Sequence, residues 1–171
     1  MRQLLSIFCA LLLCCACAAA EQDARPVETY LLPVPLFSAE EPGEALLGVD
    51  LDAAVALAPL GDPLSFFESP SCAFQGMDKV YTFPSLVVNT YPEQGKDLIL
   101  SIYLTDDALT TGEGAYIGMH TDEILALYGE PTRTADASLT FEKGGCALSF
   151  LYDAEGFVTS ILYESIRASA Q

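Results

Sequence analysis

The residues in this sequence that are best suited to chemistry are carboxylates that occur in close pairs. There are three such pairs: Asp50 with Asp52, Asp106 with Asp107, and Asp122 with Glu123. Paired carboxylates can hydrolyse glycosides or bind calcium. The third pair, however, suits the start of a helix, the second lies in a polar loop, and the first lacks the further oxygen ligands of a calcium loop. We therefore assign no catalytic or metal-binding role to these acids.

Histidine offers little additional support for catalysis, because His120 is the only one in the chain. A single histidine without a cysteine near it is rarely a metal ligand, and it gives little support to a Ser-His-Asp or zinc arrangement. The sequence contains neither a phosphate-binding loop motif nor a dinucleotide-binding glycine motif. It therefore predicts a protein without a catalytic site, a metal or a cofactor.

Six cysteines divide into two groups, and only Cys72 and Cys146 lie outside the N-terminal segment. An even pair in an exported protein favours a disulfide. The bridge would close a loop of about 74 residues and stabilise the fold by roughly 4 kcal/mol through the chain entropy of the unfolded state. The alternative is that the two cysteines are independent small apolar residues.

The other four cysteines lie in an N-terminal segment that has the features of a secretory signal. A charged start precedes the apolar run Leu4 to Leu13, and small residues follow it, so residues 1–17 are predicted to be a signal peptide. The segment from Leu13 to Ala18 resembles a bacterial lipobox, and we predict that Cys17 carries a lipid that holds the protein on the membrane. Ordinary cleavage after residues 18–20, without a lipid, is the alternative.

The chain is strongly acidic, with 24 Asp and Glu against seven Lys and Arg, and a net charge of −17. Loss of the signal would remove Arg2 and make the mature chain one unit more negative. Such a surface repels phosphate backbones and anionic lipid headgroups. Nucleic acid is therefore not a predicted partner.

The chain contains two copies of one pattern, and this repeat predicts its architecture. Each copy is a short apolar helix pattern that ends at Gly-acid-Pro, first in residues 48–63 and again in residues 118–131. The first helix is predicted to start at Asp50 or Asp52, where an acid can cap it, and Pro59 weakens its last turn.

The second helix pattern is more regular than the first. Thr121 is predicted to cap the helix, and two acids follow in its first turn, where they suit the helix dipole. Gly129 supplies a left-handed stop, and Pro131 prevents continuation. The buried side is predicted to comprise Ile124, Leu125, Leu127 and Tyr128.

Runs of strand-forming residues follow each helix pattern and are separated by turn signals. They lie at residues 80–83, 86–91 and 98–104 in the first copy and at residues 138–141, 147–152 and 157–163 in the second. In the last two runs one face carries Leu148, Phe150 and Tyr152, and likewise Phe157, Thr159, Ile161 and Tyr163. This is the pattern of a sheet covered on one side. The sequence therefore predicts an α+β fold of tandem αβββ repeats, with a roughly six-stranded antiparallel sheet and two helices on one face.

The predicted organisation along the chain has six parts. They are the lipoprotein signal (1–17), a tether and N-terminal arm (18–45), the first αβββ repeat (46–104), a linker (105–114), the second αβββ repeat (115–164) and a frayed tail (165–171). Within the arm, Val27 to Phe37 contains two prolines and is predicted to be an edge strand or an extended segment. Ser38 to Glu44 is predicted to be a polar loop.

Aromatic residues in the predicted strands allow two interpretations. In the core they would stabilise the sheet, whereas on an uncovered face, inside a rim of acids, they would form a protein recognition surface. The residues concerned are Tyr81, Phe83, Tyr91, Tyr103, Phe150, Tyr152 and Tyr163.

Segments of both copies resemble known proteins. The helix and strands of the second copy, residues 117–131, 138–141, 148–150 and 156–161, are similar to the repeat of beta-lactamase inhibitory protein and of the small lipoprotein of the outer-membrane barrel-assembly machine. Residues 71–81 and 104–107 resemble segments of secreted Gram-positive lipoproteins of unknown function that have this repeat. The resemblance covers residues 46–164 and implies a binding or scaffold protein, and it transfers no individual site residue.

These observations favour a non-catalytic lipoprotein that faces outside the cytoplasm and is held on the cell membrane by its lipid. Its domain would bind a protein or a cell-envelope ligand on the uncovered sheet face. The alternatives are an envelope hydrolase that uses paired carboxylates and a purely structural surface protein without a dedicated ligand.

Overall fold

The computed structural model describes residues 28–37 and 42–170. The strands within that part of the chain are β1 (Leu32–Phe37), β2 (Pro42–Leu47), β3 (Ser65–Pro70), β4 (Met77–Phe83), β5 (Leu86–Glu93), β6 (Lys96–Leu104), β7 (Arg133–Ala135), β8 (Ser138–Lys143), β9 (Cys146–Tyr152) and β10 (Val158–Ser165). The helices are α1 (Ala53–Ala56), α2 (Thr121–Tyr128) and α3 (Ile166–Ser169), with a 3-10 turn at Ala58–Leu60 after α1.

Eight strands form one antiparallel sheet in the order β3-β4-β5-β6-β10-β9-β8-β7, and β1 pairs with β2 in a separate hairpin. The predicted α+β class with an antiparallel sheet is confirmed. Five of the six predicted runs lie wholly within a strand, and the sixth lies in β10 except for Phe157. The described part of the sheet has two further strands, β3 and β7, at its edges. β3 mixes serine, proline and glutamate with two phenylalanines, and β7 has only three residues, so neither has the alternating pattern of a half-buried strand.

The two halves of the sheet meet at its centre, where residues 101–104 of β6 pair with residues 161–164 of β10. The same edge of β6 also pairs with the chain that leads into α1. Asp50 N–H donates to the carbonyl of Ile99 at 2.8 Å, and Ile99 N–H donates to the carbonyl of Leu51 at 2.9 Å. One edge of β6 is thus shared between the last strand of the chain and the approach to the first helix.

Helix α1 begins as predicted after Asp52, whose side chain accepts a hydrogen bond from Ala54 N–H at 3.1 Å. The chain leaves the α-helical path after Ala56, and Pro59 lies in the 3-10 turn that follows. Proline lacks the N–H that a continuing α-helix needs, so the predicted weakening of the last turn is confirmed.

The cap of helix α2 is His120 rather than the predicted Thr121. His120 Nδ1 accepts from Asp122 N–H at 3.3 Å, and the Glu123 carboxylate accepts from His120 N–H at 3.1 Å. The side chains of His120 and Glu123 therefore accept hydrogen bonds from main-chain N–H groups that have no partner within the helix, as in a capping box. His120 accordingly has a structural role at the helix start.

Only one side of α2 meets the sheet. Ile124 is fully buried and Tyr128, four residues later, is half-buried. Leu125 and Leu127 are exposed, so the prediction that they are buried is wrong. The helix has only eight residues, and residues four apart share the side that faces the core.

The turns that end the two helical segments have the same backbone geometry. Gly61 has φ 75° and ψ −157°, and Gly129 has φ 78° and ψ −144°. Gly129 has the positive φ of the predicted left-handed stop, but its ψ lies outside the left-handed helical region, in a region that only glycine occupies readily. Each glycine lies nine residues after its N-cap, Asp52 or His120. Each N-cap also forms an isolated antiparallel bridge near the start of the last strand of its own half.

The core lies on one side of the sheet, where α1, α2 and the β1–β2 hairpin all contribute to a single apolar cluster. Leu32 and Leu47 of the hairpin are fully buried in it. Residues 32–37 of the segment predicted to be an edge strand or an extended arm form β1 of this hairpin. Strand β2 begins inside the predicted polar loop. Residues 38–41 of that loop lie outside the described residues.

Strand β10 departs from the predicted alternation. Its register with β9 shifts at a bulge next to Ser160. Ile161 and Tyr163 are fully buried, whereas Phe157 and Thr159 are exposed. The prediction that these four residues share one face is wrong. The bulge adds one residue to β10, so residues before it point to the opposite face from the one that alternation assigns to them.

The chain after Glu164 continues as α3. Ser165 is buried, and its hydroxyl accepts from Ala168 N–H at 3.1 Å, which caps the helix. Ala168 is buried in a small cluster with Tyr91 and Leu98. The predicted frayed tail is therefore wrong as far as residue 170.

Candidate functional site

The sheet face opposite the core, which we call the outer face, is crossed by one row of paired residues that passes through all eight strands. The row consists of Ser65, Thr82, Val87, Tyr103, Leu162, Ser149, Thr140 and Arg133. Arg133, at one end, is the only charged residue in this row. In the adjacent row, Glu164 and Glu142 flank Ala147, so acids lie beside a row that contains no acid.

Polar side chains on the outer face bond to each other within the surface. Asn89 Nδ2 donates to the Ser101 hydroxyl at 2.9 Å, and the hydroxyls of Thr140 and Ser149 lie 2.9 Å apart. Ser101 and Thr140 are largely buried as a result. The surface between the strands is therefore shallow and only weakly polar.

A depression of about 600 Å³ lies in the second half of the outer face. It is lined by Arg133, Ala135, Asp136, Ala137, Ser138, Thr140, Ser149, Leu151 and Leu162. Leu151 is 41% exposed, and Tyr103, which pairs with Leu162, is 40% exposed. Neutral hydroxyl and aliphatic groups dominate this lining, so it suits an apolar or uncharged polar group of a partner.

The other end of the outer face is covered by the chain itself. Tyr91 is fully buried there, and its ring centroid lies 5.0 Å from that of Phe74, in the loop between β3 and β4. Ala168 of α3 packs into the same cluster. The part of the outer face beside Tyr91 and Leu98 is thus closed by the chain itself.

Most of the predicted recognition aromatics are core residues. Phe83, Tyr91, Phe150 and Tyr163 are buried, and Tyr81 and Tyr152 are half-buried. Of the seven, Tyr103 alone is exposed and lies in the row that crosses the outer face. The sequence reasoning missed Leu151 and Leu162, which lie on the other side of β9 and β10 from Phe150 and Tyr163. Strict strand alternation is the signal that could have identified them.

Asp50 takes part in a polar cluster that joins β5, the end of β10 and α3. Its Oδ1 accepts from the Tyr91 hydroxyl at 2.8 Å and from the Ser165 hydroxyl at 2.7 Å. Arg167 donates to the Tyr91 hydroxyl at 2.6 Å and to the Glu93 carboxylate at 3.0 Å. Burial raises the pKa of Tyr91, so its hydroxyl remains a donor at neutral pH. The cluster holds the C-terminal helix on the sheet.

The remaining acids of the predicted pairs are engaged locally or exposed. Asp52 caps α1 and forms an ion pair with Lys96 at 3.1 Å, and the hydrogen bond from Lys96 lowers its pKa. Asp106 accepts from Ala108 N–H at 3.0 Å, and Asp107 is exposed. Among the described residues, no group of three or more His, Cys, Asp and Glu side chains is placed to hold a metal ion.

Both cysteines in the described part of the chain are free thiols, so the predicted bridge is not formed. Cys72 lies in an exposed loop, whereas Cys146 opens β9 and is fully buried in the core cluster. Burial raises the pKa of the Cys146 thiol to about 12. Cys17, the predicted lipid attachment residue, lies outside the described residues.

No helix in residues 28–37 and 42–170 is long and apolar enough to cross a bilayer. No family model matches the chain, and no curated protein or solved structure is significantly similar to it.

Proposed function

We propose that this chain is a non-catalytic lipoprotein, anchored in the membrane and facing outside the cytoplasm, which binds a protein or an envelope ligand through its outer face. The observation that carries the proposal is the row without acids that crosses that face, whose central residues are uncharged. The chain has a net charge of −17, yet Tyr103 and Leu162 occupy the middle of a row with no acid. Interface centres are depleted in charge and enriched in tyrosine, with polar residues around them.

The acidic residues around the row define the chemistry of the partner. Glu164 and Glu142 lie in the adjacent row, and they would attract a partner whose contact surface has basic groups around an apolar centre. Nucleic acid is not among the proposed partners, because its phosphates would meet the same acids.

We also propose that the domain is a duplication, as in the resemblance to the inhibitory-protein repeat and to secreted Gram-positive lipoproteins. Three independent features support it. First, each half has one helix followed by four strands. Second, Gly61 and Gly129 share an unusual backbone conformation. Third, the strand order of the second half is the mirror image of the first about the central β6–β10 pair.

The proposed anchor is a lipid on Cys17, followed by a short tether to the arm that enters the domain at β1. Mass spectrometry of the mature protein, isolated from membranes, tests it directly. A diacylglyceryl group on Cys17 is the expected result. An unmodified N-terminus at residue 21 would contradict the anchor without affecting the proposed binding face.

Binding through the outer face is tested with two matched leucine substitutions. Leu151 and Leu127 are 41% and 43% exposed, but Leu151 lies on the outer face and Leu127 on the outside of α2. We expect Leu151→Asp to abolish capture of the partner from native envelopes and Leu127→Asp to preserve it. Thermal melting of both variants shows whether either has lost its fold.

Equal loss of capture in both leucine variants would contradict a role of the outer face. The hydrolase alternative has its own test, in which Asp50, Asp52, Asp106, Asp107 and His120 are replaced by neutral residues. If that set retained its fold in thermal melting and abolished an envelope phenotype that Leu151→Asp left intact, the hydrolase would replace the present proposal.

A further inference from the structure

We infer that one edge of the sheet, strand β3, is a self-association site at which a second copy of this chain pairs antiparallel with the first. The dimer would join two eight-stranded sheets around a two-fold axis at Phe67. This inference concerns a different surface from the proposed recognition row, and it stands or falls independently of it.

Exposed apolar side chains are concentrated at this edge. Leu64, Phe66 and Phe67 are consecutive but for one serine, and they are 71%, 50% and 63% exposed. Phe66 lies on the core side of the sheet beside Tyr81, with ring centroids 5.0 Å apart, and Phe67 lies on the outer face. Large aromatic side chains exposed on both sides of one strand are typical of an interaction surface.

The main-chain groups of β3 alternate between β4 and solvent. Strands β4 and β5 are joined by a two-residue turn, which a hydrogen-bonded pair closes, here Phe83 with Leu86. Alternation along β4 then directs the main-chain groups of Val80 toward β3, where its partner is Phe67. The main-chain groups of Phe67 are therefore used within the sheet.

A hydrogen bond beyond the end of β3 agrees with this alternation. Ser71, in the same phase of the strand as Phe67, donates its N–H to the carbonyl of Gly76 at 3.0 Å. The intervening residues Phe66 and Glu68 direct their N–H and carbonyl groups away from β4, on the edge where no described strand lies. These are the groups that strand addition requires.

The sequence of this edge is complementary to itself when it is read in the opposite direction. In an antiparallel pair centred on Phe67, Phe67 faces Phe67 of the second copy and Ser65 faces Ser69. Phe66 faces Glu68, and these two residues exchange both main-chain hydrogen bonds. The same Phe66–Glu68 exchange occurs on both sides of the two-fold axis. Both copies therefore use the same surface, and the assembly ends at a dimer, which is an isologous contact.

Shifted registers are less favourable for this strand. A pair centred on Glu68 would place two carboxylates opposite each other, which destabilises a sheet. A pair centred on Phe66 would place Glu68 opposite Leu64. Leu64 lies before the first residue of β3 and departs from its alternation, since its N–H donates to the carbonyl of Thr82 on β4 at 2.7 Å. Pro70 has no N–H and limits the ladder to the centre of β3. The register centred on Phe67 is therefore the most favourable of the three.

Net charge opposes this association and supplies one test of it. Two copies of a chain with a net charge of −17 repel each other, and at about 0.15 M salt charges separated by more than about 8 Å are largely screened. We expect the purified protein to form a concentration-dependent dimer in sedimentation equilibrium, with a smaller dissociation constant at higher salt. A monomer at all salt concentrations, up to about 1 mM protein, would overturn the inference.

Two lysine substitutions distinguish the register. Phe67→Lys places two ammonium groups opposite each other at the two-fold axis, so we expect it to abolish the dimer. Phe66→Lys places each ammonium opposite Glu68 of the second copy, so we expect it to preserve or strengthen the dimer. The reverse outcome, or equal loss in both variants with melting temperatures unchanged, would refute this pairing.

Cysteine cross-linking gives a second measurement that does not depend on affinity. In a Cys72→Ser background, Phe67→Cys places two thiols across a non-hydrogen-bonded antiparallel pair, where the Cα atoms are about 4.5 Å apart and within the range of a disulfide. We expect mild oxidation to give a covalent dimer. Ser69→Cys is the control, because it faces Ser65 rather than itself. Equal cross-linking of both variants would indicate random collision and would overturn the inference.

Discussion

Substitution of the two helix-ending glycines by alanine tests whether the two halves are built in the same way. Gly61 and Gly129 both combine a φ near 75° with a ψ near −150°. A residue with a β-carbon is strained there by about 1–3 kcal/mol. No atom lies within 4 Å of a β-carbon built on either glycine, so a steric clash adds nothing. We expect each single alanine variant to lose about 1–3 kcal/mol of unfolding free energy, and the two losses to be similar.

Urea denaturation followed by circular dichroism measures this loss as a lower midpoint with an unchanged slope. Gly43→Ala is the matched control, because Gly43 has no positive φ and its β-carbon would meet only Leu36 at 3.9 Å. We expect that control to be neutral or slightly stabilising. If Gly61→Ala were neutral while Gly129→Ala lost the full amount, the two turns would not be equivalent, and the proposed duplication would be contradicted at this point.

Four further predictions concern the cysteines and the acids. Ellman's reagent should label Cys72 in the folded protein and Cys146 only after unfolding. Burial raises the pKa of Cys146 to about 12 from 9.0, so the folded thiol retains its proton while the unfolded one loses it, and stability should fall by up to roughly 4 kcal/mol as the pH rises through this interval; Cys146→Ala should reduce the slope of that fall in urea midpoints. Asp50→Ala should lower the unfolding free energy by about 1–3 kcal/mol, because two hydroxyl donors lose their carboxylate, whereas Asp107→Ala in the exposed loop should leave the urea midpoint unchanged. The pKa of Asp52 is lowered in the folded protein, so its carboxylate stabilises the fold above the pKa of the free carboxyl. This contribution is lost as the pH falls through the folded pKa. Asp52→Asn should therefore flatten the acid side of a plot of melting temperature against pH.

Local patterns in the sequence predicted much of the sheet and both helix ends. Turn residues and apolar runs identified the strands that became β4, β5, β6, β8, β9 and β10, because each has a buried side and a short turn beside it. The Gly-acid-Pro motifs identified the ends of both helical segments, because a positive φ at glycine is a local requirement. The edge strands escaped notice, because an edge strand exposed on both sides carries no periodic pattern.

The polar cluster around Asp50 could not be predicted from neighbouring residues. Its partners Tyr91 and Ser165 are 41 and 115 positions away in the chain. Only the pairing of β6 with both the approach to α1 and β10 brings them together. Asp50 was identified as a candidate for chemistry because it lies near Asp52, yet the two acids take part in different interactions.

The candidate recognition face was predicted in location but not in composition. Tyr103 was among the aromatics named in the strands, and it is exposed on the outer face. Leu151 was missed because the larger aromatic Phe150, next to it in β9, attracted the recognition hypothesis although it is fully buried. Residue type alone does not distinguish the two sides of a strand, and the bulge next to Ser160 changes the side that alternation assigns in β10.

The position of β10 in the middle of the sheet has a consequence for the synthesis of the protein. The strand that joins the two halves is the last of the described strands, so residues 101–104 of β6 have no partner on that side until residues 161–164 have been made. During translation, the first half therefore presents an open strand in the place where the folded sheet has its centre. The chain just before α1 already occupies the neighbouring part of that edge through Asp50 and Ile99, which confines the vulnerable stretch to four residues. A chain truncated before β10 would retain this opening permanently, so pairing with β10 closes the centre of the sheet and protects β6 from aggregation.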